Sequence, residues 1–103
     1  MREIAIRQRA QLDIESIYIY LALEAGAPRA AHETIDALYA AFERIADMPE
    51  SGMRFASDDL DREYRRKLVR NYWVYYTFDS TTLTIWRVFH TRQDIDTMTL
   101  VEY

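Results

Sequence analysis

Apolar residues along this chain follow two different periods. Ile4 and Ile6 alternate with Glu3, Ala5 and Arg7, a period of two that predicts a short first strand. From Arg9 the period lengthens: Ile14, Ile17, Tyr18, Leu21, Ala22 and Ala25 share one face of a helix that Gly26 can close in a left-handed cap. Pro28 stands where a first turn tolerates it, and Ala31, Ile35, Leu38, Phe42 and Ile45 continue by steps of four and three along a second helix. So short a connection makes the two helices an antiparallel hairpin. Met48-Pro49-Glu50-Ser51-Gly52 ends the second. The first helix has more apolar surface than one seam needs, because Leu12, Ile19 and Leu23, with Tyr20 nearby, lie on another side. Either that helix packs between its partner and a sheet, or this stripe is an open groove for a partner helix.

Residues 53–63 are polar and read as irregular, with Asp58, Asp59 and Asp61 close together. They lack the glycine and the distal glutamate of a calcium loop, so a solvated loop or cap is expected and no metal site. Beyond Glu63 the period returns to two. Tyr64 to Val69 predicts one strand, and Tyr72 to Phe78, aromatic and β-branched on both faces, predicts a central one. Asp79-Ser80-Thr81 turns the chain into Leu83 to Phe89, which returns as an antiparallel partner. Alternation puts Arg87 with Leu83, Ile85 and Phe89, and Trp86 with Val88 and His90. Asp94 to Leu100 suits a short helical turn. The expected fold is α+β, one domain over residues 1–103: an antiparallel-rich sheet of about four strands, in the order β-α-α-β-β-β, with an N-terminal helical hairpin on one face.

Composition narrows the function. Half of the 103 residues are apolar and there is no cysteine, which excludes a disulfide framework and thiolate chemistry. The opening residues hold no signal-peptide core and no run is long enough to span a membrane, so a cytoplasmic protein is expected. The net charge of −4 argues against a polyanion partner, yet it is unevenly spread: residues 1–61 sum to −6 and residues 62–92 to +5. The basic segment interleaves Arg65, Arg66, Lys67, Arg70, Arg87 and Arg92 with eight of the fourteen aromatic residues. Such a surface can contact RNA, and it is also how a sheet protects its edges and fills its core. Arg87 in an apolar row needs an anionic partner or water. His90, at a strand end near Arg87 and Arg92, is either a general acid or base or a loop hydrogen-bonding residue. Neither a nucleophilic triad, a phosphate loop nor a metal-spaced histidine pair is present, and no cofactor is expected. The enzymology left open is metal-independent proton transfer, as in RNA cleavage through the 2′-hydroxyl, with Arg65, Lys67, Arg87 and His90 as the candidate catalytic group.

Four stretches in order carry a resemblance: Arg9 to Tyr20, Ile45 to Gly52, Arg65 to Val69 followed by Asn71 to Tyr76, and Ile85 to His90 with Arg92 and Asp94. Together they make the chain resemble the RelE/ParE superfamily of bacterial toxins from type II toxin-antitoxin modules, and within it the ParE, or plasmid-stabilisation, branch. The resemblance implies a cognate antitoxin, usually a ParD-like ribbon-helix-helix protein through which alone DNA is contacted, and inhibition of growth when the toxin is free. In the ParE branch the implied target is DNA gyrase; in the RelE branch it is messenger RNA on the ribosome, cut by a basic cluster. A single lysine, Lys67, favours the ParE side. The implied target-binding residues are Arg65, Arg70, Arg87, His90 and Arg92, and the implied antitoxin-binding residues are Leu12, Ile19, Tyr20 and Leu23. An inactive relative that only binds its antitoxin is the third reading.

Overall fold

A computed structural model describes residues 2–55 and 62–93. Strand β1 (Glu3–Ile6) leads into helix α1 (Gln8–Ile19), which continues as a single π-helical turn over Tyr20–Glu24. Gly26, with φ of 63°, caps that turn, and the amide of Ala27 donates to the carbonyl of Leu21. Helix α2 (Pro28–Asp47) runs back antiparallel, as the short connection requires. A 3-10 turn at Pro49–Ser51 then delivers the chain to β2 (Met53–Phe55), β3 (Tyr64–Val69), β4 (Tyr72–Phe78) and β5 (Thr82–His90).

These form one five-stranded sheet in the order β1-β5-β4-β3-β2. It has one strand more than the sequence pattern predicts, because Met53–Phe55 is too short to show a period and reads as loop, yet pairs antiparallel with Arg66 to Tyr64. The sheet is also mixed: β1 lies parallel to β5, with the helical hairpin forming the start of the connection between them. Asp58, Asp59 and Asp61 and the expected helical turn at 94–100 lie outside the described residues.

The core forms where the hairpin meets the sheet. Ala10, Ile14, Leu38, Phe42 and Ile45 pack on Val69, Tyr72, Val74, Tyr76, Leu83, Ile85 and Val88. On the other face Tyr64, Tyr75, Trp86 and Phe89 form a second buried group with Phe55 and Trp73 beside it. Guanidinium groups lie over these rings: Arg62 and Arg7 over Trp86, Arg66 over Trp73 and Phe55, and Arg87 over Phe89. β4 is thus covered on both sides, as its aromatic pattern predicts.

The expected alternation along β5 fails midway. Tyr76 pairs with Ile85 but Tyr75 pairs with Arg87, so Trp86 is the extra residue of a β-bulge. The bulge shifts the phase by one. Val88 joins Leu83 and Ile85 on the helix side, and Phe89 joins Trp86 on the other. Among the described residues the edge of β5 has no strand beside it beyond Ile85, since β1 pairs only with Thr82 to Ile85. Helix α1 takes the place of a strand there. The carboxylate of Asp13 accepts the amide of Val88 at 2.9 Å and grips Arg87 through Nε and Nη2 at 2.8 and 2.9 Å. Both side chains of this ion pair are largely buried, which is the anionic partner that Arg87 requires.

Candidate functional site

The residues singled out in the basic segment separate into two places. Arg65 and Lys67 point to the helix side of β3, toward the turn that follows α2. Arg65 donates to the carbonyls of Glu50 and Gly52, and Lys67 to that of Ser51. Arg87 and His90 stand on β5, across β4 from β3, a separation of roughly two inter-strand spacings or about 10 Å. The four candidate catalytic residues are therefore not brought to one point. Arg66 turns to the opposite face, where it bonds the Tyr75 hydroxyl and stacks on Trp73.

A cleft of about 590 Å³ lies at the other end of the sheet. One wall is α1 and its π-helical turn, with Ser16, Ile17, Tyr20 and Leu21; the other is Asn71 and Tyr72 with His90, Arg92 and Gln93. The Asp13–Arg87 pair and Val88 also line it. Local bonding explains how this lip is held. Arg70 takes a φ of 54° in the two-residue turn between β3 and β4, a conformation usually left to Gly or Asn. The carbonyl of Asn71 accepts the amide of Thr91, tying that turn to the end of β5. His90 donates its amide to Oε1 of Gln93, and its Nδ1 accepts the amide of Arg92 at 3.0 Å.

That last bond sets the chemistry of His90. With Nδ1 committed as an acceptor, the imidazole carries its proton on Nε2, so the ring presents a donor to the cleft rather than a free lone pair. The Tyr72 ring stands edge-on to it at 5.3 Å. Burial, with Tyr20 as a smaller contribution, pushes the Tyr72 phenol above its ordinary value and keeps it protonated. Among the described residues no three histidine or acidic side chains converge on a metal-sized site.

The apolar stripe of α1 is open. Leu12, Ile19, Tyr20 and Leu23 are 53, 52, 55 and 76% exposed, so the helix does not bury this side against a sheet. A shallow apolar groove between the helices, lined by Ile14, Tyr18, Ile19 and Ile35, adjoins it. Tyr20 belongs to both surfaces, ending the stripe and lining the cleft. Sequence reasoning pointed to Arg87, His90, Arg92 and Tyr20 but missed Asp13, Asn71 and Tyr72. Asp13 sits on the first helix 74 residues before Arg87, with nothing local to connect them. Tyr72 looks like any other aromatic residue of a central strand.

No helix among the described residues is long and apolar enough to cross a membrane. No curated protein sequence matches the chain. Among solved structures it is similar to a chain of the chromosomal ParDE toxin-antitoxin system from P. aeruginosa, at a TM-score of 0.67 and 15% identity, covering 87% of this chain and 96% of that one. At that identity the likeness speaks for the fold: a helical hairpin on a mixed sheet of the RelE/ParE kind. The sequence profile of the ParE toxin of type II toxin-antitoxin systems, parDE, matches residues 4–95, and the chain accordingly belongs to the ParE toxin family.

Proposed function

We propose that this protein is the toxin of a plasmid-stabilisation-type module, acting in the cytoplasm as a protein-binding inhibitor of DNA gyrase. A ParD-like ribbon-helix-helix antitoxin holds it inactive and supplies the module's only contact with DNA. The target meets the lip of the cleft at Arg70, Arg87, His90 and Arg92, and the antitoxin lies along Leu12, Ile19, Tyr20 and Leu23. Arg65, also in the target set, stands apart from that lip, with its Nη1 donating to the Glu50 and Gly52 carbonyls.

The observation that supports a binding rather than a cleaving toxin is the dispersal of the candidate catalytic group. Arg65 and Lys67 serve the 49–52 turn, Arg87 serves Asp13, and His90 presents a proton instead of a lone pair. A nuclease of this kind needs a base and phosphate-stabilising cations around one phosphodiester. Purified toxin is expected to inhibit supercoiling by gyrase while leaving ribosome-bound messenger intact. Cleaved messenger with untouched supercoiling would overturn this in favour of the ribonuclease. Normal growth on expression without the antitoxin, with neither target affected, would make the chain an inactive relative.

A further inference from the structure

We propose that Arg70 determines which protein this toxin engages, a cation held at the tip of a turn for an acidic side chain of the target; this rests on the toxin reading above. The backbone carries the inference. Val69 pairs with Tyr72, which leaves only Arg70 and Asn71 to reverse the chain between β3 and β4. So short a turn between twisted strands needs a left-handed residue, and glycine supplies one without steric cost. Elsewhere the chain follows that rule. It has two glycines: Gly26 takes a φ of 63° after the first helix, and Gly52 stands where a Cβ would collide with its neighbours. Arg70, with a φ of 54°, is the one non-glycine residue of positive φ among the described residues. Asn71 beside it, a residue that tolerates the left-handed region better, lies outside that region. A long cationic side chain at a position suited to glycine costs folding stability, and backbone held in so sparse a region points to function.

What the side chain offers there is charge at the surface. Arg70 is exposed at the tip, and the bond from the Thr91 amide to the Asn71 carbonyl ties that tip to the end of β5, where Arg92 is also exposed. A guanidinium so placed takes a carboxylate or a phosphate through its paired N–H groups. The distribution of charge favours the carboxylate. Residues 1–61, which include the helical hairpin packed on this sheet, sum to −6, a field that opposes a nucleic-acid backbone arriving with many phosphates at once. A single acidic side chain is bound at short range, where the nearby guanidinium outweighs more distant, screened charges. Fold and interface thus make opposite demands on position 70. The turn is better served by glycine or asparagine, and the contact requires arginine.

Substitutions that separate the two demands test this, read by thermal unfolding, by gyrase supercoiling and by growth arrest on expression. Arg70→Asn relieves the backbone and removes the cation. It is expected to melt about 3 °C above the wild type and to need about tenfold more protein for half-inhibition, the worth of one charge-assisted bond. Arg70→Gly is expected to lose inhibition equally and to gain less in melting, because glycine also loosens the unfolded chain. Arg70→Lys keeps the charge and the left-handed backbone, and is expected to melt with the wild type and to inhibit better than Arg70→Asn. Arg29→Gln removes the same charge at an exposed position of α2 and is expected to inhibit as the wild type does. Undiminished inhibition in Arg70→Asn, or an equal loss in Arg29→Gln, overturns the proposal. A lower melting temperature in Arg70→Asn also overturns it, since the guanidinium would then serve the fold. So does a dependence on Arg70 found in messenger cleavage, where the anion is a phosphate. Growth arrest relieved by Arg70→Asn, with supercoiling and messenger untouched by the wild type, removes the gyrase reading and supports this inference for another protein target. Supercoiling inhibited equally by wild type and Arg70→Asn removes this inference and leaves the gyrase reading standing, and a wild type that arrests nothing overturns both.

Discussion

Tyr72 and Tyr76 stand four residues apart on the same face of β4, both buried beneath the helical hairpin, and their hydroxyls have opposite fates. That of Tyr76 donates to the carbonyl of Pro49 at 2.5 Å and accepts the amide of Gly52 at 3.0 Å. That of Tyr72 makes no such bond among the described residues and lines a cleft. The same division runs through the cations. Near Tyr76, Arg65 and Lys67 are satisfied by carbonyls of the 49–52 turn; near Tyr72, His90 and Arg92 present donors outward. One end of the sheet spends its polar groups on holding the chain. The other leaves them lining the cleft.

Removing each hydroxyl is the sharpest way to break that comparison. Tyr76→Phe leaves the Pro49 carbonyl and the Gly52 amide buried and unpaired, for an expected loss of about 3 kcal/mol in denaturant unfolding. No residue larger than glycine fits at position 52, because a Cβ there would lie 2.9 Å from the Arg66 carbonyl and would collide with the Tyr76 hydroxyl. The Tyr76 phenol also titrates above its ordinary 10.0, chiefly through burial. Its contribution is therefore complete below pH 10.0 and is lost as the pH rises through the higher folded value. An unfolding free energy unchanged in Tyr76→Phe would show that this end is not held as described. Asp13→Asn comes next: it keeps an acceptor for the Val88 amide but loses the charge facing Arg87, for an expected cost of about 1.5 kcal/mol. A fully neutral Asp13→Asn would mean that the charge facing Arg87 does not help to hold helix α1 at the β5 edge. Tyr72→Phe has the opposite sign. Deleting a hydroxyl that bonds nothing among the described residues is expected to leave stability unchanged or raise it by up to about 1 kcal/mol. A loss as large as that of Tyr76→Phe would erase the distinction between the two ends.

What was legible in the sequence follows the range of the interactions responsible. The hairpin, its glycine cap and four of the five strands are written in local periods, and so is the burial of β4 on both faces. β2 was not legible because three residues are too few for a period. The phase of β5 was partly visible: Leu83, Ile85, Trp86, Val88 and Phe89 already break strict alternation, and two adjacent large residues twice in five positions are what a bulge leaves behind. At the site, the basic residues were visible as a cluster in sequence, yet pairing with Asp13 and with the 49–52 carbonyls divides them in space. Whether a charged or hydroxyl group is spent or available depends on partners brought from elsewhere in the chain. Periodicity carries no such information.

The smallest expected effect tests whether a turn remote from the cleft follows the same rule. Oδ1 of Asp79 accepts the amides of Thr81 and Thr82, both at 2.8 Å, and the Thr81 hydroxyl at 3.1 Å. These bonds, the backbone amides first, hold its carboxyl below the ordinary 3.8 even though it is exposed. A depressed folded value means that the folded state favours the charged form. The stabilisation is therefore complete above pH 3.8 and disappears as the pH falls through the lower folded value. Asp79→Ala is expected to abolish that acid-side slope, and Asp79→Asn, which keeps an acceptor but cannot titrate, to flatten it while retaining part of the turn. Unfolding measured between pH 2 and 5 reads this directly. If wild type and Asp79→Asn trace the same slope, the turn does not depend on the carboxylate charge, and the β4–β5 connection must be set by strand pairing alone.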